Sequence, residues 1–205
     1  METVIVLGTW SSGSTALTGY IQRLGAYTCP PHCTTFDERT PDSFESVEFR
    51  NALASCIDEL TLNKIKCASE FASFFEKWLP IKQEEARIAG HQVIALKHPL
   101  SAFMIPEIIK ACNPTFIVVT RQFEAIEKTR QRRNWHEVYG AAGAGQVYST
   151  LFSGLIQANK SYFTISFEDF CTNENIRANL RKQLPAPLCA PSSSALEAAE
   201  KWIRR

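Results

Sequence analysis

A turn rich in glycine and hydroxyl residues near the start of the chain has the composition of an anion-binding loop. Residues 4–15 (VIVLGTWSSGST) pass from a β-branched apolar run through this turn to Ser14 and Thr15, which open a helical pattern. Main-chain N–H groups converge in such a turn, and the dipole of the following helix favours negative charge. The spacing from Gly8 to Gly13 matches a P-loop, but Ser14 stands where that motif has lysine. The turn therefore indicates a site for a phosphate or sulfate ester rather than ordinary ATP chemistry.

A second group of polar residues, Lys97-His98-Pro99, directly follows the apolar run 93–96. Lys97 can neutralise a leaving phosphate, and His98 can accept a proton from an attacking hydroxyl because its pKa lies near working pH. The alternative is a surface Lys-His pair before a turn-forming proline. A single histidine of this kind is usually structural or solvated, and only the position at the end of a predicted strand, beside the other candidates, raises the weight of the functional interpretation.

A third group is the pair Arg121 and Thr129, which follows the apolar run 116–119 and is eight positions apart. An arginine at a strand end and a hydroxyl on the next helix can hold one phosphate between them. The alternative is a solvated arginine and a threonine bonded to its own helix backbone, and spacing alone favours that alternative.

The elements that must position these residues alternate between strand and helix. Strands are predicted at 3–8, 93–96, 116–119 and 162–166, and helices at 14–24, 100–111, 122–133, 146–159, 168–184 and 194–203. Further helical patterns begin at Phe44 and Phe71, the second ended or kinked by Pro80, and 134–146 is predicted as a loop. This order predicts a single domain over 1–205, a three-layer α/β/α fold with a mostly parallel central sheet. Ligands of such sheets bind beyond the carboxyl ends of the strands, where all three groups lie.

Composition excludes several classes of protein. The 205 residues are 45% hydrophobic and carry a formal net charge of +1, which argues against a nucleic-acid binder. No run approaches the length of a membrane span, and seven cysteines, an odd number, indicate reduced thiols in the cytoplasm. Cys29-Pro30-Pro31-His32-Cys33 holds three possible metal ligands but has no second pair, so a stiff loop is favoured over a zinc site.

Taken in order, the three groups resemble motifs of the sulfotransferases that use 3′-phosphoadenosine 5′-phosphosulfate as donor. The turn at 11–15 resembles the family's phosphosulfate-binding loop, usually written Lys/Arg-Ser-Gly-Thr-Thr. The segment from Lys97 resembles the Lys-Thr-His-Leu-Pro stretch that carries the general-base histidine of cytosolic members. Arg121 and Thr129 keep the spacing of the Arg and Ser that bind the 3′-phosphate, and residues 166–170 resemble a Tyr-Glu-Asp-Leu segment.

The resemblance implies a P-loop-NTPase-like fold and transfer of a sulfonate to a hydroxyl or amine of a small-molecule or carbohydrate acceptor. His98 would be the general base, Lys97 would offset charge on the leaving phosphate, and no metal is expected. The residues implied for donor binding are Ser11, Ser12, Gly13, Ser14, Thr15, Arg121 and Thr129. The sequence indicates no oligomeric state.

Two departures from the family keep other functions open. Ser11 replaces the basic residue that opens the family's loop, and Lys201-Trp202 is a poor replacement for its C-terminal nucleotide clamp. The alternatives are a P-loop small-molecule kinase, which lacks its lysine and a clear Mg²⁺-binding acid here, and a catalytically inactive nucleotide-binding relative.

The acceptor is poorly determined by the sequence. Arg130, Arg132 and Arg133 either complement a helix dipole or hold an acidic acceptor. Candidate residues for an apolar or sugar-stacking wall are Trp10, Tyr20, Phe36, Trp135 and Tyr139.

Overall fold

A computed structural model describes residues 1–35, 37 and 40–203, and four strands of this part of the chain form one sheet. The strands are β1 Glu2–Leu7, β2 Val93–Lys97, β3 Thr115–Thr120 and β4 Tyr162–Ser166. All are parallel, in the order β2-β1-β3-β4. The predicted α/β fold with a parallel sheet is confirmed, and every predicted strand agrees with its observed bounds to within one residue.

Helices flank this sheet. Their bounds in the described residues are α1 Ser14–Arg23, α2 Val47–Cys56, α3 Ala68–Ile88, α4 Ile105–Cys112, α5 Phe123–Arg132, α6 Ala141–Gln157, α7 Phe167–Thr172, α8 Glu174–Gln183 and α9 Ser193–Ile203. Two 3₁₀ turns, Pro99–Phe103 and Glu137–Tyr139, precede α4 and α6. No helix in the described ranges has both the length and the apolar character needed to cross a membrane.

Two hydrophobic cores lie on opposite faces of the sheet. In β1, Ile5 and Leu7 belong to one core, with buried residues of α2, α3, α4 and α6. Val4 and Val6 alternate with them and belong to the other core, with α1, α8 and α9. Because both faces are covered, the strand interiors are continuous apolar runs rather than alternating ones.

The strand register brings the candidate residues to one edge of the sheet. Val6 of β1 pairs with Lys97 at the end of β2, and Leu7 pairs with Val118 near the end of β3. The turn after β1 therefore lies between the segments that follow β2 and β3, because β1 is an inner strand.

Some predicted boundaries differ from the structure. Of the two outcomes predicted for Pro80, the end of the helix is wrong, and the kink stays a prediction. Helix α3 continues through Pro80 to Ile88, since Leu79 and Ala86, on either side of the exposed proline, are buried. This packing outweighs the cost of about 3 kcal/mol for an interior proline. The predicted loop 134–146 is also partly helical, because α6 begins at Ala141.

Gly140 and Gly143, two of the three glycines that suggested that loop, lie at close contacts instead. A Cβ at Gly143 would lie 1.9 Å from the carbonyl oxygen of Val138, so only glycine fits where α6 meets the preceding 3₁₀ turn. The predicted helix 168–184 is two helices, because Asn173 caps α8 by accepting a hydrogen bond from the main-chain N–H of Asn175. Similarly, the predicted helix 100–111 divides into a 3₁₀ turn and α4.

Candidate functional site

The turn after β1 leads into α1 and leaves the main-chain N–H groups at the start of this helix open to a ligand. Ser11 and Gly13 adopt left-handed conformations with φ of 62° and 91°. Gly13 precedes α1 without a side-chain cap, which leaves the first main-chain N–H groups of the helix available to a ligand. The Ser12 hydroxyl donates to the carbonyl of Thr9 at 2.7 Å and is buried, so this side chain stabilises the turn and faces away from any ligand.

A cavity of about 740 Å³ lies beside this turn and is called the loop cavity. Its polar part is formed by the turn, with Arg121 and Thr129 at the side. Its aromatic lining comprises Phe167 at the start of α7, Trp202 near the end of α9, and Trp10 and Trp135. The cavity thus offers both anion-binding groups and aromatic rings.

Arg121 connects the end of β3 to the turn and to α5. Its Nη1 donates to the carbonyl of Ser11 at 2.9 Å and lies 3.2 Å from Oγ1 of Thr129. Its guanidinium lies 4.8 Å from the ring centre of Phe167, and its Nε lies 3.4 Å from a carboxylate oxygen of Glu168. The residue pair selected from spacing is therefore brought together beside the turn.

A second cavity of about 930 Å³ contains His98 and is called the His98 cavity. The two cavities adjoin, because eight described residues line both of them: Trp10, Thr15, Thr40, Glu45, Lys97, Arg132, Arg133 and Trp135. Lys97 is buried at this junction, where its Nζ donates to Oγ1 of Thr15 at 2.9 Å and lies 2.6 Å from a carboxylate oxygen of Glu45.

The ring of His98 is held in one protonation arrangement. Its Nδ1 accepts a hydrogen bond from the main-chain N–H of Leu100 at 3.2 Å, which caps the 3₁₀ turn. Burial lowers the pKa of His98, despite the opposing effect of Glu45 and Glu59. The neutral ring therefore carries its proton on Nε2, which lies 3.6 Å from Glu59 Oε1 and 4.0 Å from Glu45 Oε2.

Glu45 is a site residue that the sequence analysis missed. Burial alone would raise the pKa of its carboxyl, but attraction to Lys97 and His98 outweighs burial and lowers that pKa below its ordinary value. The carboxylate is therefore ionised at neutral pH. It follows no strand and belongs to no recognisable motif, so the sequence carried no signal for it.

Two further ion-pair groups line the His98 cavity. Arg50 donates from Nε to Glu59 at 3.2 Å. Arg132 and Arg133 lie 2.8 and 2.6 Å from the same oxygen of Asp37. Arg132, at the end of α5, and Arg133, directly after it, thus line the cavities, whereas Arg130 pairs with Glu127.

The aromatic candidates divide into three sets. Trp10, Trp135 and Tyr139 line the His98 cavity. Tyr20 does not, because it is buried in the core beneath α1, where its hydroxyl bonds to Arg181 and Glu200. Phe36 lies outside the described residues.

Trp202, set aside in the sequence analysis, lines the loop cavity. Its Nε1 donates to the carbonyl of Ala16 at 2.9 Å, and the guanidinium of Arg23 lies 3.9 Å from its ring centre. Only the packing of α9 on α1 brings it there, so no local pattern could have found it.

In the described residues, no three His, Cys, Asp or Glu side chains are grouped as metal ligands, and all seven cysteines are free thiols. His32 of the Cys-Pro-Pro-His-Cys segment pairs with Asp42 instead. Comparison with known protein families finds no match for this chain, and no curated protein matches it significantly.

Proposed function

We propose that this protein is a sulfotransferase with a P-loop-NTPase-like fold, which moves a sulfonate group from 3′-phosphoadenosine 5′-phosphosulfate to a hydroxyl group of a second substrate. The observation that carries the proposal is the convergence of the 11–15 turn, Arg121 and Thr129 on the loop cavity. Helix-start N–H groups and an arginine–hydroxyl pair are two separate anion sites. A nucleotide that carries phosphate groups at both its 3′ and 5′ positions requires two anion sites.

The aromatic part of the loop cavity supports a nucleotide over a simple anion. Phe167 and Trp202 offer ring surface on which a purine can pack, while its phosphates remain on the polar part. In the proposal, the donor occupies the loop cavity and the acceptor occupies the His98 cavity. Their reacting groups meet at the shared junction of Thr15, Glu45 and Lys97.

In the proposed reaction, the acceptor oxygen attacks the sulfur atom in line with the bond from sulfur to the bridging oxygen of the 5′-phosphate. That bond breaks, and its electron pair leaves with the 3′,5′-bisphosphate. Lys97 and the N–H groups of the turn offset the negative charge that grows on the departing phosphate. Lys97 bonds to Thr15 in the turn itself, so it can supply the cation that Ser11 does not.

The acceptor's proton passes to Glu45 in this proposal, with His98 as its partner. A hydroxyl oxygen can bridge the 4.0 Å gap between Nε2 of His98 and Oε2 of Glu45, because two hydrogen bonds of about 2.8 Å that meet at roughly 90° span that distance. His98 then donates from Nε2 to the acceptor oxygen, and the ionised Glu45 accepts the proton. We assign the role of base to Glu45 instead of His98. Because Nδ1 accepts a hydrogen bond from Leu100, the proton of the neutral ring lies on Nε2, and this nitrogen cannot accept another.

Thermal unfolding with two nucleotides tests the proposal. A ligand at 100 times its dissociation constant adds about 2.7 kcal/mol to the free energy of unfolding. We expect 3′-phosphoadenosine 5′-phosphate to raise the melting temperature and ATP with Mg²⁺ to leave it unchanged. A rise only with ATP and Mg²⁺ would support a kinase instead. Transfer of labelled sulfonate from the donor then distinguishes an enzyme from an inactive nucleotide-binding protein.

A further inference from the structure

We propose that the acceptor is a carbohydrate of about two linked rings, bound in the His98 cavity by an aromatic wall and by a polar wall of paired charges. The two walls meet where the guanidinium of Arg133 lies 4.4 Å from the ring centre of Trp135. This inference rests on the proposed function, since it names the class of the second substrate. The cavity volume of about 930 Å³ lies at the upper end of the range of roughly 300–1,000 Å³ for small-molecule sites. That volume suits a ligand larger than a single sugar ring.

The aromatic wall consists of Trp10, Trp135 and Tyr139. The ring centres of Trp10 and Tyr139 are 4.8 Å apart, and those of Trp135 and Tyr139 are 5.9 Å apart, so the three rings form one continuous cluster. All three are half-buried and line the cavity. Such a wall presents apolar surface together with indole N–H and phenol O–H groups, which matches a ring whose C–H face is apolar and whose edge carries hydroxyls.

The polar wall presents charges that are already paired. The described lining residues include four cations against three anions, namely Arg50, Lys97, Arg132 and Arg133 against Asp37, Glu45 and Glu59. Each carboxylate contacts at least one of these cations, as described above. A strongly charged acceptor would therefore find little unbalanced charge here.

These paired groups still bind hydroxyls well. A carboxylate in an ion pair keeps further lone pairs, and a guanidinium has five N–H donors, of which a pair uses only some. Asn51, bonded to Arg50 Nη1 at 3.2 Å, adds a side-chain amide that both donates and accepts. Neighbouring sugar hydroxyls can replace the water on these planar groups one for one, whereas an apolar phenol would leave them without partners.

Calorimetry on the full chain tests this class directly. The probes are three neutral disaccharides (cellobiose, lactose and N,N′-diacetylchitobiose) and the apolar phenol 2-naphthol, each titrated with and without 3′-phosphoadenosine 5′-phosphate. We expect at least one disaccharide to bind and 2-naphthol to bind at least 10-fold more weakly. Binding of 2-naphthol alone, or of none of the disaccharides, overturns the proposal.

Matched variants locate the binding. Tyr139 lines the His98 cavity but not the loop cavity, so Tyr139→Ala should weaken disaccharide binding at least 10-fold, and Tyr139→Phe, which keeps the ring, should weaken it less. Phe123→Ala removes an exposed aromatic residue that lines neither cavity, so it should leave binding unchanged. Equal binding by Tyr139→Ala and the unmodified protein overturns the assignment to this wall.

The readouts also separate this inference from the proposed function. If the bisphosphate binds and the disaccharides do not, only the acceptor class is wrong. If a disaccharide binds in the absence of nucleotide and the bisphosphate never binds, the acceptor class holds and the donor assignment is wrong.

Discussion

Nη1 of Arg121 lies 3.2 Å from Oγ1 of Thr129, although eight residues and the change from strand β3 to helix α5 separate them. The same guanidinium nitrogen donates to the carbonyl of Ser11 at 2.9 Å. One arginine thus joins three segments: the turn after β1, the end of β3 and the second half of α5. In the proposed function this contact is the binding site of the 3′-phosphate. The Thr129 hydroxyl also donates to the carbonyl of Ala125 in its own helix at 2.9 Å, as the structural alternative expected, so it must release that bond to donate to a phosphate.

Replacing Arg121 with Gln should weaken binding of 3′-phosphoadenosine 5′-phosphate about 10- to 100-fold. A hydrogen bond to a charged group contributes about 1.5–3 kcal/mol, which corresponds to that range of dissociation constants. Adenosine 5′-phosphate, which has no 3′-phosphate, should lose less than about 3-fold if each hydrogen bond acts independently. Isothermal titration of both nucleotides measures the difference.

The control for this prediction is Arg87→Gln, which removes an exposed arginine of α3 that pairs with Glu84. It should change neither affinity. An equal loss of both nucleotides in Arg121→Gln would mean that Arg121 acts by holding the carbonyl of Ser11 in the turn, not by binding the 3′-phosphate.

Local patterns were sufficient to predict the sheet and the ends of its strands. The apolar runs at 93–96 and 116–119 are buried on both faces, so hydrophobicity alone is enough to predict them as strands. The positions of Lys97 and Arg121 at the strand ends could be predicted from the ends of these runs. Residues brought in from distant segments could not be predicted. Glu45 and Trp202 reach the cavities through contacts 52 and 186 residues apart in the chain, with Lys97 and Ala16 respectively, and no short-range pattern encodes such contacts.

The tautomer of His98 is a second feature that could not be predicted from the sequence. Its residue type suggested a base, but the direction of one main-chain N–H group, that of Leu100, decides which ring nitrogen holds the proton. Gly143 misled the prediction of a loop, because its close packing against Val138 requires a glycine inside a helix.

Glu45→Gln should lower the rate of sulfonate transfer about 100-fold or more while the dissociation constant of the bisphosphate changes little. Loss of a positioned proton acceptor costs roughly 10²- to 10⁴-fold. His98→Gln keeps an N–H donor on the side chain and should lose less activity than Glu45→Gln. The transfer assay with labelled donor, run on both variants with the same acceptor, measures the ranking.

The opposite order of activities in these two variants would identify His98 as the general base. If His98→Gln is the more damaged variant and Glu45→Gln keeps most of its activity, the ring accepts the proton after releasing Leu100. The bisphosphate titration serves as the folding check for each variant, because it reports the intact loop cavity.

The free energy of unfolding should fall as pH is lowered through 6.5. Burial lowers the pKa of His98 below its ordinary 6.5 in the folded protein, so the unfolded chain binds more protons in the interval between the two values. The stabilising contribution is complete above pH 6.5 and is lost progressively below it. The lowered pKa of Glu45 adds a second loss at lower pH, below its ordinary 4.5. Urea denaturation at pH 7.5, 6.5 and 5.5 measures the first interval.

His98→Asn should flatten this dependence between pH 7.5 and 5.5. The matched control is His136→Asn, which changes an exposed histidine before a 3₁₀ turn and should keep the slope of the unmodified protein. If the pH dependence persists in His98→Asn and vanishes in His136→Asn, the effect comes from His136, and the prediction for His98 is wrong.

The same substitution should have opposite effects at two glycines. Gly13 has φ of +91°, and a Cβ there would lie 2.0 Å from the ring of Phe167. Gly13→Ala should therefore destabilise the protein by about 1–3 kcal/mol or more and abolish bisphosphate binding. Gly145 lies inside α6 with nothing within 4 Å of its added Cβ, so Gly145→Ala should stabilise by about 0.5–1 kcal/mol. Urea midpoints measure both; if Gly13→Ala keeps full stability and nucleotide affinity, the turn does not have the tight conformation on which the anion site depends.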